Sequence, residues 1–241
     1  NYLIVQPAGV TADITQRAIS VMPNDVTRVY DGTVNATSSL LVTSGSLALG
    51  DSPVGGTFSF ADRHAGTGKT VSISGLSIND SNGGNNYVLT LQPNTSSTIT
   101  QANLNVTGVT ASSRNYDGTT VASLGGSATV AALGGDSISL TGTAVGSFAN
   151  KHAGNTKPVS VSGYSLSGTH AGNYVLVQPS GLTADITPAP LTVSTSSVNK
   201  VYDTTTNAAG SAIVTGGALF VTDTISGGTF QFASKNAGTN V

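Results

Sequence analysis

The stretch Val29-Tyr30-Asp31-Gly32-Thr33 occurs three times in this chain and decides how the chain folds. It returns as Asn115-Tyr116-Asp117-Gly118-Thr119 and as Val201-Tyr202-Asp203-Thr204-Thr205. The three tyrosines are 86 residues apart both times. A fixed period of this length is the signature of tandem repeats. The chain is therefore predicted to be an array of similar units.

Other short markers recur in the same order around this stretch. They are Asn1-Tyr2-Leu3, Asn86-Tyr87-Val88 and Asn173-Tyr174-Val175; Gly56-Thr57-Phe58, Gly146-Ser147-Phe148 and Gly228-Thr229-Phe230; and His64-Ala65-Gly66, His152-Ala153-Gly154 and Asn236-Ala237-Gly238. We therefore divide the chain into terminal strands of a preceding repeat (1–15), repeat 1 (16–100), repeat 2 (101–187) and a truncated repeat 3 (188–241).

The composition indicates a folded β protein. Charged residues make up 8% of the chain, against about 25% in ordinary globular proteins. The 38% hydrophobic content and the net charge of −2 argue against disorder. Abundant Ser, Thr, Gly and Asn favour strands and turns over helices. The absence of a basic patch argues against a nucleic-acid partner, and the absence of a long apolar run argues against membrane insertion.

Hydrophobic alternation predicts six or seven short strands in each repeat. Lys157–Leu166 and Leu182–Thr187 are two of them, and Val159 and Val161 show the two-residue spacing that places side chains on one face of a strand. Tyr2–Gln6 and Val10–Thr15 are predicted as strands of the preceding repeat. A parallel β-helix would need a much shorter period. The predicted fold is all-β: tandem antiparallel, immunoglobulin-like β-sandwich repeats of about 86 residues arranged as an elongated rod.

The recurring stretch is interpreted as a structural motif rather than a ligand site, because a residue present in every unit is first explained by what every unit needs. Its residues are Tyr30, Asp31 and Gly32, then Tyr116, Asp117 and Gly118, then Tyr202 and Asp203. The tyrosine ring is expected in the core with its hydroxyl bonded to backbone, and the aspartate is expected to cap turn amides. Thr204, which replaces glycine, suggests that a positive φ is not required. Arg28, Arg114 and Lys200 are expected to pair with a nearby aspartate.

No catalytic, cofactor-binding or metal-binding residue is predicted. Gly66–Thr70 imitates a phosphate loop, but Arg63 stands where that motif requires glycine. The histidines lack zinc spacing. Asp80–Asn86 has a weak calcium-loop pattern, although an Asn-Gly hairpin is the preferred interpretation. Asp51, Asp136 and Asp223 follow turns and are interpreted as turn formers rather than as hydrolase carboxylates.

The motif Lys/Arg-x-Tyr-Asp-Gly-Thr, followed by Asn-Tyr-x-Leu and Ala-x-Ile-Thr, resembles the YDG-type repeat of large bacterial surface proteins of the filamentous-haemagglutinin type. The resemblance covers the whole chain as repeats and fragments. It implies a secreted or cell-surface adhesin, of which this chain is a part of the stalk. Thr204 and Asn236 depart from the pattern, which argues against an indispensable chemical role for those positions.

The leading hypothesis is a non-enzymatic spacer that projects a distal adhesive domain. The alternative is a glycan- or surface-binding β-sandwich module that uses Tyr164 or Tyr174 as a platform. The corresponding partners are host or surface glycans, or like adhesin chains. Weak head-to-tail self-association by strand exchange is a further hypothesis, because residues 1–15 supply strands that repeat 3 lacks.

Overall fold

Repeats 1 and 3 each form two separate sheets, and repeat 2 forms three. The computed structural model describes residues 1–239, and strands account for about half of the chain. Among the described residues the only helical element is a 3₁₀ turn at Ala171–Asn173. The prediction of an all-β protein is confirmed.

The strands follow the repeats in chain order. Repeat 1 contains β1 (Arg17–Pro23), β2 (Thr27–Val29), β3 (Asn35–Ala36), β4 (Leu40–Ser44), β5 (Ser52–Phe60), β6 (Gly66–Asn79), β7 (Tyr87–Leu91) and β8 (Asn94–Thr100). Repeat 2 contains β9 (Ala102–Asn105), β10 (Thr107–Ala111), β11 (Arg114–Asn115), β12 (Val121–Ala122), β13 (Leu124–Thr129), β14 (Ser139–Phe148), β15 (Gly154–Ser167), β16 (Tyr174–Val177) and β17 (Leu182–Thr187). Repeat 3 contains β18 (Thr192–Thr195), β19 (Asn207–Ala208), β20 (Ala212–Gly216) and β21 (Phe230–Gln231).

The sheets of repeat 1 are mixed rather than wholly antiparallel, which corrects the prediction. One sheet has the order β4-β1-β7 and the other has the order β2-β8-β6-β5-β3. β1 pairs with β7 in parallel, and β2 pairs with β8 in parallel. Parallel neighbours need a long connection, and here most of the repeat separates the two strands of each pair. Alternation of residue types shows which face of a strand is buried but not the direction of its neighbour.

Repeat 2 has an equivalent five-stranded sheet, but its second sheet is divided into two two-stranded sheets. Its five-stranded sheet has the order β11-β17-β15-β14-β12, and β11 pairs with β17 in parallel. The strand equivalent to β1 is divided: β9 pairs with β16 in parallel, and β10 pairs with β13 antiparallel. Repeat 3 retains two two-stranded sheets, β18-β20 and β19-β21.

The longest strand of each full repeat changes its buried face at a glycine. In β6, Val71 and Ile73 are buried before Gly75, and Leu76 and Ile78 are buried after it. Gly75 has a φ of +68°, a conformation that favours glycine. The buried positions shift by one residue at Gly75, although the pairing of β6 with β5 keeps the same register on both sides of it. The same strand can therefore face two different hydrophobic clusters.

The chain forms two compact units whose division runs through repeat 2. Unit 1 comprises residues 1–105, 130–141 and 165–177, and unit 2 comprises residues 106–129, 142–164 and 178–241. Unit 1 contains two buried clusters. The first draws on repeat 1 alone and consists of Ile19, Val21, Ile73, Leu76, Ile78 and Tyr87. The second joins residues of repeats 1 and 2 and consists of Val26, Tyr30, Phe60, Val71, Ile99, Ala102, Leu104 and Tyr174.

Unit 2 contains one buried cluster, which belongs to repeat 2. It consists of Ala122, Phe148, Val159, Val161, Ala184 and Ile186.

Phe148 is equivalent to Phe60 rather than to Phe58, which corrects the alignment of that marker. The amides of Phe60 and Phe148 donate 2.8 Å hydrogen bonds to Val34 and Thr120 respectively, two matching positions. The amide of Phe232 does the same to Thr206 in repeat 3.

Residues 1–16 contain no strand, so the two strands predicted there are wrong. Tyr2 is 99% exposed and Ile14 is 98% exposed. The equivalent strands β7 and β8 pair with strands that lie earlier in the same repeat. No described residue pairs with residues 1–16 in this way. An extended segment without a neighbouring strand forms no ladder hydrogen bonds, so it is not a β-strand.

Candidate functional site

The repeated aspartate closes a small turn in all three copies. Asp31 Oδ1 accepts hydrogen bonds from the Thr33 amide at 2.8 Å and the Thr33 hydroxyl at 2.9 Å. The other two copies have the same two bonds, from Thr119 to Asp117 and from Thr205 to Asp203. A short carboxylate that binds the amide two residues ahead is a common turn device.

A cation forms a salt bridge with the aspartate of each turn. Arg28, Arg114 and Lys200 form salt bridges with Asp31, Asp117 and Asp203 respectively. Each cation also lies over a phenylalanine ring, at 5.0 Å from the centroid of Phe60, 5.4 Å from Phe148 and 5.7 Å from Phe232. Hydrogen bonds from Arg114 and Thr119 hold the pKa of Asp117 at about 2. Lys200 and Thr205 likewise hold the pKa of Asp203 at about 2.

The third residue of the turn requires a positive φ, contrary to the expectation drawn from Thr204. Gly32 and Gly118 have φ values of +79° and +78°, and Thr204 has a φ of +66°. A β-branched residue is strained in this conformation. Gly118 is also tightly packed, since a Cβ there would lie 2.7 Å from Cβ of Phe220 in repeat 3.

Tyr30 joins repeat 1 to repeat 2. Its ring is 2% exposed, and its hydroxyl donates a 2.6 Å hydrogen bond to Asp136 Oδ2. The expected partner was backbone, so the carboxylate is a correction. Tyr174 donates a 2.8 Å bond to the same oxygen and accepts one from the Leu133 amide. The two tyrosine rings meet edge to face, with centroids 5.4 Å apart.

Arg63 completes this cluster with a positive charge. Its Nη2 lies 2.6 Å from Asp136 Oδ1, and the Asp136 side chain is fully buried. Arg63 Nη1 also donates to the carbonyl of Gly32 at 3.2 Å, so the guanidinium bridges two repeats. A buried charge is tolerated when it is paired and hydrogen-bonded. We call Tyr30, Arg63, Asp136 and Tyr174 the joint cluster.

The electrostatics of the joint cluster follow from this geometry. Burial tends to raise the pKa of Asp136, but hydrogen bonds from Tyr30 and Tyr174 and the charge of Arg63 outweigh it and lower the pKa. Burial and the hydrogen bond to Asp136 raise the pKa of Tyr30 to about 12. The carboxylate is therefore ionised and the phenol protonated near neutral pH.

A second line of contacts lies beside the joint cluster. The rings of His64 and His170 stack with their centroids 5.7 Å apart. The Ala65 amide donates a 3.0 Å hydrogen bond to Oδ1 of Asn173, which is buried. The His-Ala-Gly marker of repeat 1 thus packs on the Asn-Tyr-Val marker of repeat 2.

Unit 2 contains a related cluster between repeats 2 and 3. Tyr116 Oη donates a 3.0 Å hydrogen bond to Asp223 Oδ1. Lys151 lies 3.5 Å from the same oxygen and 5.8 Å from the centroid of the Tyr116 ring. Phe220 packs on that ring edge to face at 5.5 Å. Tyrosine, cation and aspartate therefore occupy matching positions in both joints.

The sequence predicted the three tyrosine rings in the core; Tyr30 is buried, whereas Tyr202 is 56% exposed. The partners of the tyrosine hydroxyls were missed. Asp136 and Asp223 do follow turns, yet their side chains were assigned no role beyond the turn. Arg63, Lys151 and Lys235 recur immediately before the His-Ala-Gly or Asn-Ala-Gly marker. That recurrence of a basic residue was a signal from which the cation of the joint could have been found.

The remaining candidates have structural roles. Gly66–Thr70 lies on β6. The Asp80 carboxylate accepts hydrogen bonds from the amides of Asn82, Gly84 and Asn86. This loop connects β6 to β7, which lie in different sheets, so it is not the expected hairpin. In residues 1–239 no group of three or more histidine, aspartate or other ligand side chains could hold a metal ion.

The aromatic platform of the alternative hypothesis is not available at Tyr174. Tyr174 is 4% exposed. Its ring packs on Tyr30, and its hydroxyl is hydrogen-bonded. Tyr164 is half-buried against the unit 2 cluster. Stacking on a sugar needs an exposed ring face, so Tyr174 is corrected to a core residue.

Comparison with known protein families shows the family to which the chain belongs. The profile described as YDG domain matches residues 15–97, 100–181 and 187–241. The chain belongs to the YDG domain family. No curated protein and no solved structure matches it in the two other comparisons. In this YDG chain the tyrosine and aspartate of the motif make different contacts: Tyr30 and Tyr116 each bond to the next repeat, whereas the aspartate of each copy closes its own turn. None of the helical residues in 1–239 forms a segment long and apolar enough to span a bilayer.

Proposed function

We propose that these YDG repeats are the stalk of a large secreted or cell-surface bacterial adhesin of the filamentous-haemagglutinin type. In this role they space a distal adhesive domain from the cell and catalyse no reaction. The observation that carries the proposal is the joint cluster, in which Tyr30 and Arg63 of repeat 1 hold the buried Asp136 of repeat 2. Hydrogen bonds and ion pairs are directional, so such a joint restricts bending between successive repeats.

The repetition of the joint supports a rigid array. Tyr116, Lys151 and Asp223 supply the same residue types between repeats 2 and 3. In solenoid-like arrays each repeat is stabilised by its neighbours. We infer that the repeats stack as immunoglobulin-like sandwiches in an elongated rod, with about 30–40 Å added per repeat at roughly 3.3 Å per strand residue.

Solution X-ray scattering of the full chain tests the rod. A compact protein of this length has a radius of gyration of about 18 Å. We expect a clearly larger value and a pair-distance distribution with a long tail. A radius near that of a globule contradicts the rod and removes the basis for a spacer.

A glycan array with the full chain tests the spacer role itself. A stalk is expected to bind no glycan reproducibly. Saturable binding at micromolar concentration, in the absence of any distal domain, favours a binding module and contradicts the proposal. The scattering and array results are independent, so an elongated chain that binds glycans is recognised as such.

A further inference from the structure

The motif places a glycine directly after its aspartate in two of the three copies. These copies are Asp31-Gly32 and Asp117-Gly118, whereas the third has Asp203-Thr204. An Asp-Gly pair is chemically labile in water, because the amide nitrogen of the glycine can attack the aspartate side chain and glycine has no Cβ to obstruct the approach. A motif that repeats this pair therefore repeats a potential site of chemical damage.

The reaction is isomerisation through a succinimide. In the second copy, the Gly118 nitrogen forms a bond to Cγ of protonated Asp117, and the carboxyl OH leaves with the amide proton as water. Water then opens the ring. Opening at the main-chain carbonyl gives isoaspartate, in which the chain runs through Cγ and the backbone is one atom longer. An ionised carboxylate is nearly inert in the first step, because oxide is not a leaving group.

Burial does not protect these two aspartates. The side chains of Asp31 and Asp117 are 53% and 46% exposed respectively. The cations paired with them are much less exposed, at 15% for Arg28 and 14% for Arg114. Each carboxylate is thus open to water, but it is held by a cation that is itself fixed by its surroundings.

Arg114 fixes both the charge and the orientation of the Asp117 carboxylate. It pairs with Oδ1 of that carboxylate, and its Nη2 donates a 2.6 Å hydrogen bond to the Thr119 carbonyl. The amide and the hydroxyl of Thr119 donate to the same Oδ1 at 2.8 Å. Hydrogen bonds from Arg114 and Thr119 hold the pKa of Asp117 at about 2, because donors and an opposite charge favour the ionised form. The first copy of the turn has equivalent contacts.

We propose that the arginine of each Asp-Gly turn protects the aspartate of that turn from isomerisation. Arg28 protects Asp31, and Arg114 protects Asp117, since each holds its carboxylate ionised and bound to the threonine of the turn. In the third copy the branched side chain of Thr204 obstructs the same attack. The inference does not depend on the stalk role of the repeats.

The protected bond lies next to a tyrosine that joins two repeats. Tyr30 donates its hydroxyl hydrogen bond to Asp136, and Tyr116 donates to Asp223. An isoaspartate directly after the tyrosine lengthens the backbone and takes the carboxylate out of its turn. Isomerisation of a single aspartate would therefore disturb the joint that follows.

Slow ageing of the full chain at pH 5 and 37 °C tests the proposal. Isoaspartate is measured by peptide mapping with electron-based fragmentation, which distinguishes it from aspartate. At this pH a carboxyl of pKa about 2 is protonated in about one molecule in a thousand, and one with the ordinary pKa of about 3.9 in about one in fourteen. Arg114→Met is therefore expected to raise isoaspartate at Asp117 at least about fivefold.

Arg114→Lys separates loss of charge from loss of packing. Lysine and methionine have similar bulk and both lack the guanidinium group, but only lysine keeps the positive charge, as Lys200 does in the third copy. Arg114→Lys is therefore expected to keep isoaspartate at Asp117 near the wild-type level. The proposal is overturned if the two variants behave alike or if neither differs from the wild type.

Two further sites are controls for unfolding and for the role of glycine. Asp31 keeps its arginine in Arg114→Met, so isoaspartate there should stay at the wild-type level; an equal rise at Asp31 means general unfolding and overturns the proposal. Lys200→Met is the matched variant of the third copy, where Thr204 follows Asp203. It is expected to give no rise at Asp203, and a rise as large as that in Arg114→Met overturns the proposed chemistry.

Discussion

The Asp136 carboxylate illustrates how single side chains connect two repeats. Its side chain is fully buried, and it accepts hydrogen bonds from Tyr30 and Tyr174 while it pairs with Arg63. A buried carboxylate without partners is costly, whereas one with several donors is stable in its ionised form. Removal of any one of these donors should therefore lower the free energy of unfolding.

Tyr30→Phe removes one of these donors and keeps the ring. We expect the free energy of unfolding to fall by about 2 kcal/mol, in the range for hydrogen bonds to charged groups. Urea denaturation followed by circular dichroism measures the change. Tyr202→Phe is the matched control, since Tyr202 is 56% exposed, and it should change stability by less than about 0.5 kcal/mol. Equal effects of the two substitutions contradict the role assigned to Asp136.

The raised pKa of Tyr30 predicts a loss of stability in alkali. A group whose pKa is higher in the folded than in the unfolded protein stabilises the fold below its unfolded pKa and loses that contribution as pH rises through its folded pKa. The unfolded value is about 10 and the folded value is about 12. The urea midpoint should therefore decline between pH 10 and 12, and less steeply in Tyr30→Phe. Identical pH profiles for the two proteins count against this coupling.

Thr204 is strained where the other copies have glycine. Thr204→Gly should stabilise repeat 3 by about 1 kcal/mol, because a β-branched residue is costly at positive φ and glycine is not. Gly118→Ala, at the equivalent place in repeat 2, should destabilise unit 2, since its Cβ would lie 2.7 Å from Phe220. Thermal unfolding of both variants measures the two opposite shifts. A loss of stability in Thr204→Gly is the contrary result.

At the scale of strands, the sequence predicted where most elements lie but not how they pair. Alternation predicted Leu182–Thr187 with the bounds that β17 has, and placed Lys157–Leu166 inside β15. Parallel pairing of β1 with β7 and of β2 with β8 was missed, because strand direction is a property of the chain path. The joint cluster was missed for the same reason: its members are more than 100 residues apart from Tyr30 to Asp136, and no local pattern links them.

Residues 1–16 show that a segment of strand-like sequence forms a strand only where a partner strand is present. Ile14 and Ile99 hold the same place in the period, yet Ile14 is 98% exposed and Ile99 is 1% exposed. Ile99→Ala should cost about 2–5 kcal/mol, as expected for a buried isoleucine. Ile14→Ala should leave stability unchanged within about 0.5 kcal/mol. Denaturant unfolding at low protein concentration measures both, and a large effect of Ile14→Ala means that the segment is packed.

For the whole molecule, the distribution of buried clusters implies that the joint between repeats 1 and 2 adds to the stability of the repeats themselves. The cluster around Tyr30 draws residues from repeats 1 and 2, so neither repeat completes it alone. Arrays of this kind have stabilities that sum over repeats and their interfaces.

The two aspartates at matching positions in repeats 1 and 2 test this view. Asp51 accepts a 2.6 Å hydrogen bond from Tyr87 within repeat 1, whereas Asp136 also holds Tyr30 and Arg63 of the neighbouring repeat. Asp136→Ala should cost about 3–5 kcal/mol, the penalty for breaking a buried ion pair, and Asp51→Ala about 1 kcal/mol. Calorimetric unfolding measures both. Comparable losses contradict the importance of the joint.

The parallel pairing of β2 with β8, and of β11 with β17, has a mechanical consequence. In each full repeat a strand near the start lies directly beside the last strand and runs in the same direction. When the two ends of such a repeat are pulled apart, the neighbouring strands slide past each other in shear. All of the hydrogen bonds between them must then break nearly together, whereas an antiparallel pair of terminal strands peels open one bond at a time. Tension applied along the chain would therefore load these hydrogen bonds in shear in each full repeat.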